Sequence, residues 1–111
     1  MNNKQIALIQ GLLRKTEVDE AHWNTTEVSD QYKLLLQSGS ILVDKYAEED
    51  EYELAVFNSK GTQIDTLRLG RYDAGYEELF QLFNIIFRKL HNVDETLDSM
   101  LGEIKSKRPI G

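Results

Sequence analysis

The stretch "LVDKYAEEDEYELAV", residues 42–56, decides the fold because two β-rich runs flank a short acidic segment. From Tyr52 to Phe57, apolar and polar residues alternate with the period of two that is typical of a half-buried strand. A second β-rich run precedes the acids and ends at Tyr46. Residues 47–51 are therefore predicted to form a hairpin loop, whose carboxylates keep the edge of a sheet soluble.

The six carboxylates of this stretch leave two functional alternatives to a solvated loop. A calcium-binding loop needs acids at alternating positions and a glycine at its sharp turn, but Tyr52 interrupts the acids and residues 46–59 contain no glycine. A patch for a basic partner protein needs only exposed acids, so Glu49, Asp50 and Glu51 are candidate partner-binding residues. We expect no metal site and no other cofactor.

Turn signals on both sides of this hairpin extend it into an antiparallel meander. Strand-like runs at residues 32–37 and 40–46 meet at Ser38-Gly39, a glycine turn that predicts a tight hairpin. Downstream, "NSKG" at 58–61 is typical of a turn, and another extended run follows at 62–69. With a short strand after Trp23, residues 21–70 are predicted to form a sheet of four to five strands.

The last strand of this meander has an irregular apolar pattern. Ile64 and Leu67 fall on opposite faces if the strand is regular. A bulge near Asp65 or Thr66 would turn both side chains toward the core.

A helical pattern occupies the N-terminal segment, residues 1–17. Its apolar residues recur at helical spacing, and Asn2 or Asn3 is available as an N-cap. At the other end of the chain, residues 106–111 are short, basic and predicted to be a flexible tail.

The C-terminal third predicts one long helix, residues 74–105. Its apolar stripe starts at Tyr76 and continues nearly in phase across His91-Asn92. The alternative is a new helix start capped by Asn92 and Glu95. Upstream, Asp73 is predicted to cap the helix after a glycine-rich turn.

A helix of this length would extend well beyond the sheet. It would span about 48 Å at 1.5 Å per residue, whereas a seven-residue strand spans about 23 Å. Its C-terminal apolar residues therefore need cover: Val93, Leu97, Leu101 and Ile104. We expect the first helix to provide it. A kink that returns the segment, or a second copy of the protein, is the alternative.

Ile85 points away from the main apolar stripe of this helix, between charged and amide side chains. Leu82 widens the stripe toward it. Together with Leu97, these residues are candidates for a partner surface, although single exposed apolar residues are common.

No catalytic motif accompanies the two histidines, His22 and His91. An enzyme is therefore not expected. The alternative to a non-catalytic interaction or regulatory module is a small enzyme or ligand-binding protein with a pocket near His22 and Trp23.

Composition limits the partners and the compartment. The net charge of −6 disfavours nucleic acid and anionic membranes, and a protein partner or a second copy is favoured instead. There is no cysteine for a disulfide and no apolar run near the roughly 18 residues of a membrane span. We expect a cytoplasmic location.

The succession "SGSILVDKY", "YELAVFNSKGTQIDTL", "YEELFQLFNIIFRKL" and "VDETLDSMLGEI" covers most of the chain and resembles a group of small uncharacterised bacterial proteins. These segments have the patterns of strands, turns and helices, and they contain no catalytic motif. The resemblance implies a bacterial, intracellular α+β protein and brings no activity or functional residues with it. The expected architecture is a two-layer α+β domain: an antiparallel meander on a long C-terminal helix, with the N-terminal helix beside that helix.

Overall fold

The computed structural model describes residues 3–111 and has an α+β fold, as the sequence predicts. Three helices and five strands follow one another along the chain as α1 (Asn3–Glu17), β1 (Asn24–Thr25), β2 (Gln31–Leu36), β3 (Gly39–Tyr46), β4 (Glu51–Asn58), β5 (Gln63–Gly70), α2 (Tyr76–Leu90) and α3 (Val93–Lys105). The strands form one antiparallel meander in the order β1-β2-β3-β4-β5. Asn2, one of the two predicted caps of the first helix, lies outside the described residues.

The central hairpin is β3–β4, which pairs from Gly39 opposite Asn58 to Tyr46 opposite Glu51. Residues 47–50 connect the two strands, so the acidic segment is the hairpin loop that the sequence predicts. At the other end of the pair, a Cβ on Gly39 would lie 1.9 Å from the carbonyl oxygen of Phe57. Only glycine fits there, because the two backbones approach too closely for any side chain.

One face of the sheet, here the inner face, packs against α2. Alternate strand residues fill this face, and they are Tyr32, Leu34, Ile41, Val43, Tyr52, Leu54 and Leu69, all buried. α2 contacts β3 and β4, and α1 packs alongside α2. Leu79, Leu82 and Ile86 of α2 are at most 1% exposed. The two-layer arrangement with α1 beside the C-terminal helical layer is thus confirmed.

The β4–β5 pairing contains a bulge close to the predicted place. Val56 pairs with Asp65 and Phe57 pairs with Gln63, which leaves Ile64 as the extra residue. Ile64 stays exposed, so the prediction that a bulge turns it inward is wrong. Leu67 lies on the inner face opposite Leu54, in the regular part of the β4–β5 pairing beyond the bulge.

The single long helix predicted from the apolar phase is wrong, because α2 and α3 are separated at residues 91–92. Asn92 adopts the left-handed conformation with φ 50° and ψ 43°. Among residues with a side chain, Asn and Asp tolerate this conformation best. The His91 amide closes α2 by donating to the Phe87 carbonyl at 3.0 Å, and the Thr96 amide opens α3 by donating to the Asn92 carbonyl at 3.0 Å.

The expected cover of the overhanging segment by the first helix is also wrong. α1 and α2 each contain 15 residues, which is about 22 Å at 1.5 Å per residue. α1 therefore has no length left to reach along α3 once it lies beside α2. None of the 13 residues of α3, all of them described, is buried. The principal extents of 56 × 32 × 26 Å agree with a segment that projects from the body.

The connection between β5 and α2 differs from the sequence prediction in its cap. Gly75, with φ 91°, is the residue that precedes α2, and no side chain caps the first turn. The Asp73 carboxylate accepts a hydrogen bond from the Gly70 amide at 2.7 Å instead. Asp73 therefore stabilises the turn and is not the helix cap.

Within residues 3–111, no helix combines the length and apolar content that are needed to cross a lipid bilayer.

Candidate functional site

The most prominent unpaired feature of the described chain is an apolar stripe along α3. We call it the α3 stripe and define it by five residues, Val93, Leu97, Met100, Leu101 and Ile104. At 100° per residue they fall within an arc of about 100°. Four of them are strongly exposed: Leu97 at 48%, Met100 at 51%, Leu101 at 50% and Ile104 at 64%. Scattered exposed apolar residues are ordinary, but a contiguous stripe marks an interaction surface.

The spacing of the α3 stripe matches the seam of a two-helix coiled coil. Val93, Leu97, Met100 and Ile104 alternate four and three residues apart, which is the d-a-d-a pattern of a heptad repeat. Leu101 widens the seam at an e position. The opposite face holds Glu95 and Gly102, so the helix is amphipathic.

Within residues 3–111, α3 is supported only at its first turn, where Arg88 pairs with Asp94 and Val93 is half-buried. Isolated helices shorter than about 12–15 residues are marginal in water, and α3 has 13 residues. Gly102 weakens it further, by roughly 0.8–1.0 kcal/mol relative to Ala. A partner that covers the α3 stripe would provide the missing stabilisation.

Charge is distributed unevenly along α3. Asp94 and Glu95 lie in the first turn and Lys105 in the last, and Lys107 and Arg108 follow. This arrangement complements the helix dipole. Glu103 also lies in the last turn, so the basic character of this end of the α3 stripe comes from Lys105 together with Lys107 and Arg108.

The three apolar residues predicted to form a partner surface lie in different places. Leu97 is on the α3 stripe. Leu82 is 0% exposed and packs in the core, so its assignment to a partner surface is wrong. Ile85 is half-buried at the junction of the three helices, in a shallow depression of about 410 Å³. Charged side chains surround this depression, including Lys89, whose Nζ lies 2.5 Å from Asp19 Oδ1.

Two of the three predicted acidic residues are engaged within the chain. Asp50 accepts hydrogen bonds from the Tyr76 hydroxyl and from Arg71 Nε, each at 2.8 Å. These contacts, with Tyr76 first, hold the pKa of Asp50 below its usual value. Glu51 pairs with Arg68 at 2.6 Å. Glu49 is exposed at the hairpin loop. The acidic loop thus fastens β3–β4 to the β5–α2 connection, and its carboxylates do not form one open patch.

The predicted pocket near His22 and Trp23 does not bring those two side chains together. Trp23 is buried, and its Nε1 donates to the Thr16 hydroxyl at 3.0 Å. The same hydroxyl donates to the Leu12 carbonyl at 2.6 Å. His22 is exposed and borders a separate shallow depression of about 280 Å³ beside the end of β2. Trp23 is therefore a core residue that joins α1 to the sheet.

His91 has a partner that the sequence analysis missed. Its Nε2 lies 3.2 Å from the hydroxyl of Tyr32, and its ring lies 4.5 Å from that of Phe87. Burial, followed by the nearby Asp30, raises the pKa of Tyr32. The contact joins residues 59 positions apart, so no local pattern could have predicted it. Within residues 3–111, no group of three or more acidic or His side chains is arranged to hold a metal ion.

The outer face of the sheet carries a second apolar area that the sequence analysis also missed. Strand alternation places Leu35, Leu42 and Phe57 on this face, opposite to α2. Leu35 is exposed and the other two are half-buried. The buried Ala55 lies between them, so this area is less exposed than the α3 stripe.

Comparisons of the chain with protein-family models, with curated proteins and with solved structures found no match.

Proposed function

We propose that this protein is a non-catalytic protein-interaction module and that its docking surface is the α3 stripe. The supporting observation is the exposure of Leu97, Met100, Leu101 and Ile104, between 48% and 64%, on a helix without a buried residue of its own. Burying an apolar side chain of this size fully is worth about 1.5–3 kcal/mol. Four half-exposed side chains therefore leave roughly 3–6 kcal/mol of burial to be gained from a partner.

The other candidate surfaces offer less. The acidic loop uses Asp50 and Glu51 for internal ion pairs, so a basic partner would have to displace Arg68 and Arg71. Exposed ion pairs contribute at most about 1 kcal/mol each. The depression around Ile85 is shallow and lined by charged side chains. Among the surfaces compared within residues 3–111, the α3 stripe combines the most exposed apolar side chains with a regular geometry that a second helix can match.

The test is site-specific photo-cross-linking of the full chain in living cells. A photoreactive residue replaces either Leu101 on the α3 stripe or Glu95 on the opposite face. The two variants then carry the same residue on the same helix and differ only in the face that bears it. We expect a discrete adduct, identified by mass spectrometry, from position 101, and its loss when Leu97→Glu is added. Equal adduct patterns from both faces, or no adduct from position 101, would refute the α3 stripe as a docking surface.

Three further expectations from the sequence stay predictions. They are a cytoplasmic location, a lack of affinity for nucleic acid, and the alternative of an enzyme or ligand-binding protein near His22 and Trp23. The last has the weakest support, because Trp23 is buried and hydrogen-bonded to Thr16. A ligand-binding function would now be sought first at the contact between His91 and Tyr32.

A further inference from the structure

We infer that the occupant of the α3 stripe is the α3 stripe of a second copy of this chain, running antiparallel. This inference rests on the proposed function and names its partner. Three properties of α3 lead to it: the seam spacing, the polarity of its charge, and the flank on which the charges lie.

The seam is self-complementary. A two-fold axis through the middle of the α3 stripe, between residues 98 and 99, places residue i of one copy opposite residue 197 − i of the other. Val93 then faces Ile104 of the second copy, and Leu97 faces Met100. Four of the five residues of the α3 stripe therefore meet an apolar side chain, as an isologous interface requires, and Leu101 lies at the level of Thr96.

The charge pattern selects the antiparallel orientation. The first turn of α3 contains Asp94 and Glu95. The last turn contains Glu103 and Lys105, and Lys107 and Arg108 beyond the helix make this end basic. An antiparallel pair brings each acidic end next to a basic end, whereas a parallel pair brings like charges to the same level. Complementary ends of this kind set orientation and register. Antiparallel helix dipoles favour the same arrangement.

The flank of the charges agrees with this orientation. Asp94 and Lys105 lie within about 20° of one another, beside Leu101. Asp98 lies on the same flank, and the two-fold axis brings it within about 1.5 Å along the axis of Asp98 of the second copy, which opposes the pairing. In an antiparallel helix pair the same flank of each copy meets its equivalent. Lys105 of one copy then lies only two residues, or about 3 Å along the axis, from Asp94 of the other, a carboxylate that also pairs with Arg88 of its own chain. Each dimer contains this contact twice.

The association is expected to be reversible and dependent on concentration. One helical stripe is smaller than the roughly 800 Å² that each partner contributes to a standard interface. Sedimentation velocity over a wide concentration range should therefore show a monomer–dimer equilibrium. A dissociation constant near 1 mM is about the weakest that this measurement can detect. A wild-type chain that remains monomeric at all concentrations up to about 1 mM would therefore overturn the inference.

Single cysteines determine the orientation, because the chain has none of its own. In the antiparallel pair, residue 100 lies about 4.5 Å along the axis from its equivalent and residue 104 about 16.5 Å. With helix axes about 8–10 Å apart and Cα atoms about 2.3 Å from each axis, the Cα–Cα distances are about 6–7 Å and about 17 Å. A disulfide needs Cα atoms within about 7 Å. Mild oxidation should therefore link Met100→Cys into a dimer and leave Ile104→Cys monomeric. Ser99→Cys is the matched control, since it lies at the same level but faces away from the seam.

A charge reversal tests the ion pairs separately. Lys105→Glu should weaken dimerisation by about three- to tenfold, since two exposed pairs become repulsive. Lys60→Glu, in the β4–β5 turn, changes the net charge equally and should have no effect. If both variants weaken the dimer equally, net charge rather than α3 polarity is responsible, and the antiparallel inference loses its charge argument and is rejected.

The failures of this inference and of the proposed function are distinguishable. A monomeric protein that still gives a face-specific adduct with another polypeptide from position 101 would overturn only the inference. Equal cross-linking of Met100→Cys and Ile104→Cys would also overturn only the inference, because it would indicate a parallel pair. A dimer that persists with Leu97→Glu would overturn both, because the contact would then lie elsewhere, for example on the outer face of the sheet around Leu35.

Discussion

Replacing one glycine in α1 should raise the stability of the whole chain, whereas replacing one in α3 should leave it unchanged. Gly11 lies in α1, which packs against α2, and Gly102 lies in α3. A Cβ added at either position meets nothing within 4 Å, so alanine fits at both. The two substitutions are therefore chemically identical and differ only in whether their helix is coupled to the core.

The gain in helix propensity is the same at both sites, roughly 0.8–1.0 kcal/mol. Unfolding of a 111-residue domain has an entropy near 0.23 kcal/mol/K, so 1 kcal/mol corresponds to about 4 °C in Tm. Gly11→Ala should therefore raise Tm by about 4 °C. Gly102→Ala should leave the Tm of the monomer unchanged, because an uncovered α3 frays without unfolding the core.

The assays are thermal unfolding followed by tryptophan fluorescence, which reports the core through Trp23, and hydrogen exchange of the α3 amides. Both are performed at a concentration where the protein is monomeric. Gly102→Ala should slow exchange in α3 severalfold and leave that of the sheet unchanged. An equal rise in Tm for both variants would refute the reasoning, since α3 would then fold together with the core.

Three further predictions concern the polar contacts. Thr16→Val should lower the free energy of unfolding by about 1–3 kcal/mol, because the buried Trp23 N–H loses its acceptor; denaturant titration should show Thr16→Ser closer to wild type, and an unchanged Thr16→Val would contradict the contact. Asp50→Asn should lower Tm at pH 7. Because folding depresses the pKa of Asp50, this difference should be present above pH 4 and vanish as the pH falls through the folded value; a difference that persists at pH 2 would be inconsistent with it. Asp44→Asn should raise Tm at pH 7, because burial and then Glu53, its cross-strand neighbour, raise the pKa of Asp44. Because folding raises this pKa, the ionised carboxylate destabilises the folded state, and the advantage of asparagine should disappear below about pH 4, where the carboxyl is protonated. Equal melting temperatures of the two proteins at about pH 7 would argue against this prediction.

The sheet was predictable because its signals are local. Alternation around Tyr52 and the glycine at residue 39 specify two strands and one turn without reference to the rest of the chain. The bulge was partly predictable, since the position of Leu67 demanded an irregularity. Its effect on Ile64 was not, because the pattern gives no information on which of two apolar side chains a bulge leaves outside.

The break between α2 and α3 shows the limit of apolar phase as a signal. The phase continues across the break and predicts one helix, yet a single left-handed residue, Asn92, separates two. The sequence contained the competing signal, an Asn followed three residues later by Glu95. Apolar phase records which side chains share a face, and two helices can share a face as well as one helix can.

The candidate site was predictable in its residues and not in its environment. Leu97 and its neighbours were recognised from spacing as apolar residues that need cover. Whether α1 supplies that cover depends on where α1 ends relative to α2, which is a tertiary property. Likewise, Asp50 and Glu51 looked like an open acidic patch because their partners, Arg68 and Arg71, lie about 20 residues along the chain.

The unmet need for cover and the charge polarity of α3 identify a second copy of α3 as the partner only when they are taken together. An apolar stripe alone would accept any apolar helix, and an acidic-to-basic gradient alone is common because it complements the helix dipole. The combination of the two features on α3 narrows the choice of partner. A partner must offer apolar residues at the same spacing and charges in the reverse order, and an antiparallel copy of α3 satisfies both requirements without any other molecule.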